Sequence, residues 1–496
     1  MFEIDPILAT DSYKLGHMAQ YPKGTELVYS NFTPRSMKYF AAPEKFKTNE
    51  IVWFGLQSVL MEMIALWNKS FFNQNISDIE EKFMRRVAPF VGPSGFDFQK
   101  IRELHKYGRL PITIKSLPEG TRVPAGVPAM IIYNTDPKFY WVTNFLETYL
   151  SVELWKMSTA ATTADLYYRI FDHYADKTGA PKEFIPWQSH DFSMRGLSCV
   201  QDAAKTGAAH LTSMMGTDNL PAVDFLEHFY DGKGTFIGGS VPATEHSVMT
   251  IDGADGEVSL IRRLITEVYP AGIVSLVCDA WDYWKVLTEY TKVLKYDILS
   301  RAEDALGMSK VVFRPDSGDP VKIICGDSSA DTEWERKGSI QVLWDVFGGT
   351  LNDKGYKMLN PKVGLIYGDS ITPQRADEIL SKLEQAGFAS SNVVLGIGSY
   401  TYQYVTRDTC GFAIKSTYGV VNGVGRDIFK NPKTDDGTKK SAKGLLSVKI
   451  VDGKLKLFDQ QKDMHNTGLL ELRMYDGSLV GLESITDIRT RIAEGR

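Results

Sequence analysis

The sequence predicts an α/β fold: an irregular barrel of parallel strands, with a second α+β domain built from the two ends of the chain. Two observations carry this. First, four short apolar runs in the second half end in polar or glycine-rich clusters. They are Ile273–Val277 before Cys278-Asp279, Val311–Phe313 before Arg314-Pro315-Asp316-Ser317-Gly318, Val363–Tyr367 before Gly368-Asp369-Ser370, and Val393–Leu395 before Gly396-Ile397-Gly398-Ser399. β-Branched runs this short read as buried parallel strands. Second, strands alternate with helical stretches from about residue 185 to 400, the mark of βα units. An α/β barrel gathers its chemistry at the carboxyl ends of its strands. Glycines there offer bare backbone N–H groups to an anion, and aspartates can hold a metal or a sugar hydroxyl. The combination points to an enzyme acting on a phosphorylated sugar or nucleotide.

The other elements follow in order. Residues 1–40 read as tight and irregular, with Asp11-Ser12-Tyr13-Lys14 near the start. Apolar residues at helical spacing predict an amphipathic helix from Ile51 to Trp67. Strand-like runs interrupted by Pro111, Pro118, Gly120, Pro124, Gly126 and Pro128 predict a β-rich piece over Leu110–Ile132. Phe139 to Tyr168 reads as helical. The tail returns to strands at Phe412–Ser416, Ser447–Val451 and Lys454–Leu457, with Asp452-Gly453 as a hairpin turn. The expected organisation is 1–155 and 401–496 packing together as one domain around a barrel at 156–400.

Whole-chain properties narrow the classes. The 496 residues carry a net charge of −5, which does not favour nucleic acid or an anionic membrane, so any anion must be held by a local cluster. The four cysteines form no C-x-x-C pair, which argues against a zinc site or a disulfide framework. No signal peptide is visible, and no apolar run approaches the ~20 residues of a membrane span. A cytoplasmic location is expected.

Several motifs can carry chemistry. His246 lies in a loop of glycines, a proline and small polar residues, beside Glu245. An imidazole can attack phosphorus when a carboxylate holds its other nitrogen. Glu245 and the distant Asp279 are both candidates for that carboxylate, and a hydrogen-bonded loop histidine is the plain alternative. In His190-Asp191-Phe192-Ser193-Met194-Arg195-Gly196, Phe192 could stack on a flat heteroaromatic ring while Arg195 holds an anion. In isolation the same segment reads as a core phenylalanine beside an ion pair. Gly216-Thr217-Asp218 alone reads as a turn or cap. Arg314-Pro315-Asp316-Ser317-Gly318 is stronger, since two acids, an arginine and a glycine directly follow a buried strand once Asp319 is counted. Gly368-Asp369 and Gly396-Ile397-Gly398-Ser399 have the same placement and could form a phosphate cup. Arg407, Lys415 and Lys430 make a local basic excess: a solvated surface, or a clamp for pyrophosphate.

Taken together, these residues resemble the nicotinamide phosphoribosyltransferase family, nearly end to end. The match includes Leu8-Ala9-Thr10-Asp11-Ser12-Tyr13-Lys14, His190-Asp191-Phe192 with Arg195-Gly196, Gly216-Thr217-Asp218, Ser240-Val241-Pro242-Ala243 with Glu245-His246-Ser247, Arg314-Pro315-Asp316-Ser317-Gly318, Gly368-Asp369 and Thr406-Arg407-Asp408. The resemblance implies a type II phosphoribosyltransferase barrel and a homodimer with shared active sites. It implies Mg2+-dependent reaction of nicotinamide with phosphoribosyl diphosphate, with ATP hydrolysis coupled through a phosphohistidine at His246, flanked by Glu245 and Asp279. By the same resemblance Phe192 and the other subunit's Tyr13 would sandwich nicotinamide, and Asp218 and Arg314 would bind its carboxamide. Arg195, Gly368, Asp369, Gly398 and Ser399 would hold the ribose phosphate, with Asp316 at the ribose hydroxyls. Arg407, Lys415 and Lys430 would hold pyrophosphate or ATP phosphates, with Arg35 and Lys14 reaching in from the partner. The chain departs from the family at Ser399, where relatives have glycine, and at Ala413, where relatives have serine. The rival readings are a nicotinate phosphoribosyltransferase and a catalytically inactive nucleotide-binding relative.

Overall fold

The structure, a computed structural model, describes residues 4–368, 370–429 and 442–496. Its central feature is a six-stranded parallel sheet. The strand order is Gly216–Thr217, Ser189–Asp191, Val393–Ile397, Val363–Tyr367, Ser309–Arg314 and Gly272–Val277. All four runs expected as buried parallel strands are in it, each lengthened by at most three residues. The sheet curls, and one short strap joins its two edges. Gly239 bridges Gly216 on one edge, and Ala243 bridges Ser275 on the other, both in parallel. Thr217 N–H donates to Gly239 O at 3.0 Å, and Thr244 N–H donates to Ser275 O at 3.0 Å. The strap therefore closes the irregular barrel, and it leads straight into Glu245-His246.

Register decides which residues face one another inside. Paired residues of a parallel sheet share a face, and successive residues alternate. The pairs Val277↔Arg314, Gly364↔Val312, Ile366↔Val394, Gly396↔His190 and His190↔Gly216 put Arg314, Gly368, Gly396, His190, Phe192 and Asp218 on one side.

A second, seven-stranded antiparallel sheet mixes the two ends of the chain. Its order is Val424–Asp427, Ala413–Val421, Thr25–Thr33, Met130–Asn134, Ile112–Ser116, Glu471–Tyr475 and Ser478–Leu479. The strand Thr25–Thr33 was not expected within the irregular first 40 residues. It buries Ser30 and Asn31, which bond to Ser416 Oγ and Lys415 O, so its buried face is not purely apolar. The tail hairpin forms as expected: Val451 pairs with Lys454 across Asp452 and Gly453, both at positive φ (54° and 72°).

The helix expected from Ile51 starts later, at Leu56. Glu50–Val52 is a strand, and Trp53 and Phe54 are fully buried. Gly55, at φ 110°, turns the chain, and the Glu119 carboxylate accepts the Gly55 and Gln57 amides at 2.6 Å each. The helical stretch from Phe139 divides at Leu146 into Tyr140–Phe145 and Glu147–Thr178. The second helix runs through residue 155 without a break. It accepts the Val52 amide at Thr162 Oγ1 (2.9 Å), and its Tyr167 hydroxyl donates to Ile371 O beside the barrel (2.6 Å). Among the described residues no helix is long and apolar enough to cross a membrane.

Candidate active site

One end of the site is built for a flat, polar-edged ring. Phe192 follows the Ser189–Asp191 strand, and its amide bonds to Ile397 O at 3.0 Å. Gly396 leaves room for it: a Cβ there would lie 2.8 Å from Phe192 Cδ2 and 2.5 Å from Tyr367 O. The His190 ring leans on Phe192 at 4.6 Å, and the Arg314 guanidinium lies 5.8 Å from the Phe192 ring centre. Asp218 faces this ring. His190 Nε2 lies 2.9 Å from its Oδ1, and Ser240 Oγ donates to the same oxygen at 2.5 Å. Burial alone would raise the Asp218 pKa; the bonds from His190 and Ser240 and the charge of Arg314 hold it below the usual value. Arg314 is anchored by donating Nη2 to Thr244 O at 2.6 Å, while its buried Nε has no partner. That N–H is a donor that a ligand's oxygen could take up.

The second cluster surrounds His246. Its Nε2 lies 3.2 Å from Asp279 Oδ1, and Asp279 Oδ2 accepts the Asp316 amide at 2.8 Å. Asp279 is thus the carboxylate that holds the imidazole. Glu245 accepts instead from Ser247 Oγ, at the start of the helix His246–Thr250. Burial would raise the Asp279 pKa too, but the Asp316 amide, Ser317 hydroxyl and His246 bring it below the ordinary range. Asp316 is exposed, and a Cβ on Gly368 would lie 2.3 Å from its Oδ1, so its carboxylate rests on the Gly368 backbone.

Around these, Arg195 is exposed on the turn Met194–Gly196, and Gly398 caps the helix Ser399–Gln403. A third group lies at one end of the antiparallel sheet, with Arg35 just past the strand Thr25–Thr33 and Arg407 on the turn Arg407–Thr409. Arg35 donates Nε to Gly411 O at 2.9 Å, and the Phe412 amide bonds to Arg407 O. Lys415 is exposed on the next strand, opposite Asn31. Arg35 and Arg407 are therefore tied to adjoining residues, Gly411 and Phe412, and Lys415 lies three residues beyond. Tyr13 is 60% exposed. Lys14 is buried and engaged in its own chain, 2.9 Å from Glu147 Oε2. Asp369 and Lys430 lie outside the described residues.

Three groups escaped the sequence reading as functional: His190 and Ser240, which orient Asp218, and the Thr244 carbonyl, which anchors Arg314. His190 carried a usable signal, two positions before Phe192 on a strand and hence on the same face. Thr244 carried none, because a backbone carbonyl has no side-chain signature.

Known proteins resemble this chain in sequence and in fold. Residues 187–466 match the nicotinate phosphoribosyltransferase (NAPRTase) family, and residues 5–114 match the nicotinamide phosphoribosyltransferase N-terminal domain. The chain is 52% identical over 496 residues to a nicotinamide phosphoribosyltransferase of Acinetobacter baylyi, covering 99% of this chain and 98% of that one. It is 34% identical over 454 residues to a nicotinamide phosphoribosyltransferase of Mycoplasma pneumoniae, covering 88% and 94%. Among solved structures, human nicotinic acid phosphoribosyltransferase superposes with a TM-score of 0.55 at 15% identity, over 98% of this chain and 93% of that one. At that identity the likeness is one of fold.

Proposed function

The chain belongs to the nicotinamide phosphoribosyltransferase family, and from that premise we propose that it joins nicotinamide to phosphoribosyl diphosphate, forming nicotinamide mononucleotide and pyrophosphate for NAD salvage. The observation that carries this choice of substrate is the geometry of Asp218. Both its protein donors take Oδ1, which leaves Oδ2 as an acceptor. That oxygen suits the carboxamide NH2 of nicotinamide and repels the carboxylate of nicotinate. The unpaired Arg314 Nε supplies a donor for the carboxamide oxygen. Phe192 gives the pyridine ring its stacking face.

The pyridine nitrogen forms a bond to the anomeric carbon as that carbon's bond to the diphosphate oxygen breaks. The nitrogen needs no deprotonation, so catalysis rests on positioning and charge. Asp316 lies where it can bind ribose hydroxyls, and carboxylates near the ring favour the cationic sugar. Arg195, with Gly368, Gly398 and Ser399, holds the 5′-phosphate. Mg2+ keeps much of its water shell and needs only one or two carboxylates when phosphates supply the rest. The exposed Asp316 fits that requirement and would hold Mg2+, which would supply positive charge against the leaving diphosphate.

His246 couples ATP to the reaction. With Nε2–H donated to Asp279, Nδ1 keeps its lone pair and attacks the γ-phosphorus. The bond from that phosphorus to the bridging oxygen breaks, ADP leaves, and water later hydrolyses the phosphohistidine. The cations Arg35, Arg407 and Lys415 serve the phosphates of ATP or pyrophosphate. We assign the active form to a homodimer in which the exposed Tyr13 closes the ring pocket of the other subunit.

The deciding experiment incubates purified protein with phosphoribosyl diphosphate and either nicotinamide or nicotinate. Pyrophosphate release with nicotinamide alone supports the reading. Release with nicotinate alone assigns the rival activity, and none with either leaves a binding protein.

A further inference from the structure

Arg195 sits on a turn of three residues, Met194–Gly196, and Gly398 on the cap of a helix of five, Ser399–Gln403. Neither element is long enough to hold its own orientation. Two features fix them to each other. Gly196 packs directly on Ser399: a Cβ at 196 would meet Ser399 Oγ at 2.1 Å. Behind that contact lies a bracket of four side chains from three parts of the chain. Lys156, on the helix Glu147–Thr178, donates to Asp202 Oδ2 at 2.6 Å and to Gln403 Oε1 at 3.2 Å. Asp202, on the helix Val200–His210, accepts the Ser198 amide at 3.0 Å. Gln403 Nε2 donates to Ser198 Oγ at 2.9 Å. The Lys156 and Asp202 side chains are only 16% and 15% exposed, so the pair is largely screened from water.

We infer that Lys156, Asp202, Ser198 and Gln403 are positioning residues that lock the Arg195 turn to the Gly398-Ser399 corner, so the phosphate cup is set before the phosphorylated ribose arrives. The inference rests on the proposed reaction for the identity of that ligand. The bracket adds no net charge to the cup, because Lys156 is matched by Asp202. Its contribution is geometric: ordering done during folding need not be done again on binding. It also acts on one end of the site only. The donors that fix Asp218 are His190 and Ser240, and neither belongs to the bracket.

That asymmetry supplies the test. Gln403→Ala leaves the Lys156–Asp202 pair intact and cuts the tie to the corner. Its KM for phosphoribosyl diphosphate should rise about tenfold, while kcat and the KM for nicotinamide stay within about twofold. Lys156→Met should shift the same constant, and Lys156→Arg should recover most of the loss. In calorimetry, affinity for ribose 5-phosphate should fall in parallel with the rise in KM. Equal changes in both KM values, or an unchanged affinity for ribose 5-phosphate, overturn the inference. If the unaltered protein forms no nucleotide from nicotinamide, the proposed reaction fails on its own, and the ribose 5-phosphate affinities alone decide the bracket.

Discussion

At Asp218 two donors converge on one oxygen, and in the proposed reaction the other oxygen is the one that selects the ring. Asp218→Asn removes the charge and adds an amide donor that can face a carboxylate. Turnover of nicotinate relative to nicotinamide should rise about tenfold or more in a competition assay, and an unchanged ratio would remove Asp218 from the specificity pocket. His246→Ala should abolish ATP hydrolysis while nucleotide synthesis without ATP continues at a reduced rate; equal ATPase rates in variant and parent would sink the phosphohistidine. His246 and Arg314 were legible in the sequence because each stands in an unusual local string. Asp218 was not: Gly216-Thr217-Asp218 alone reads as a turn, and Asp218 gains a role only through the family resemblance. Nor was the choice between Glu245 and Asp279 legible. Glu245 precedes the histidine in sequence, but it caps the helix and turns to Ser247. Asp279 reaches the histidine only because the strap lies beside the Gly272–Val277 strand, a contact that exists only in three dimensions.

Four of the six parallel strands were legible because each is a short apolar run followed by a polar cluster; Ser189–Asp191 and Gly216–Thr217, three and two residues long, carry no such run. The start of the helix at Leu56 was not legible, since Ile51, Val52, Trp53 and Phe54 continue the apolar pattern of the helix while lying in a strand and a buried turn. Periodicity cannot separate a buried strand from a buried helical segment. Glycines inside the barrel strands have a sharper meaning. Gly396→Ala places a Cβ 2.5 Å from Tyr367 O and 2.9 Å from the Gly368 carbonyl carbon, backbone atoms that cannot step aside. It should cost about 1–3 kcal/mol of stability, read from denaturant midpoints, and lower activity by displacing Phe192. Gly364→Ala meets the Lys310 stem at 3.0 Å, a side chain able to shift, and should be milder on both readouts. A reversed order would show that the crowding at Gly396 does not control the ring pocket.

Across the whole molecule, strands 380 to 396 residues apart pair side by side: Thr33 lies opposite Ala413 and Thr25 opposite Val421. The sequence indicated such a partnership of ends but not its register, because pairing of distant strands has no local signature. The proposed dimer extends the same sharing between chains. If Tyr13 completes a neighbour's pocket, mixing Tyr13→Ala subunits with Phe192→Ala subunits creates heterodimers with one intact site. Activity should then exceed that of either parent; a mixture that stays at their average, after confirmed subunit exchange, places each site within one chain. The strap that closes the barrel has a consequence of another kind. Four backbone-to-backbone hydrogen bonds, donated by Thr217, Gly239, Thr244 and Ser275, join it to the two edges, with side-chain bonds from Ser240, to Thr244 Oγ1 and from Arg314 beside them. A seam with only two backbone ladder bonds a side should open at lower free energy than the strands it joins. Deuterium uptake at these four amides is therefore a clock running next to His246. It slows when the pocket fills or the imidazole carries a phosphoryl group, while Val311 and Leu395, deep in the sheet, keep their own time.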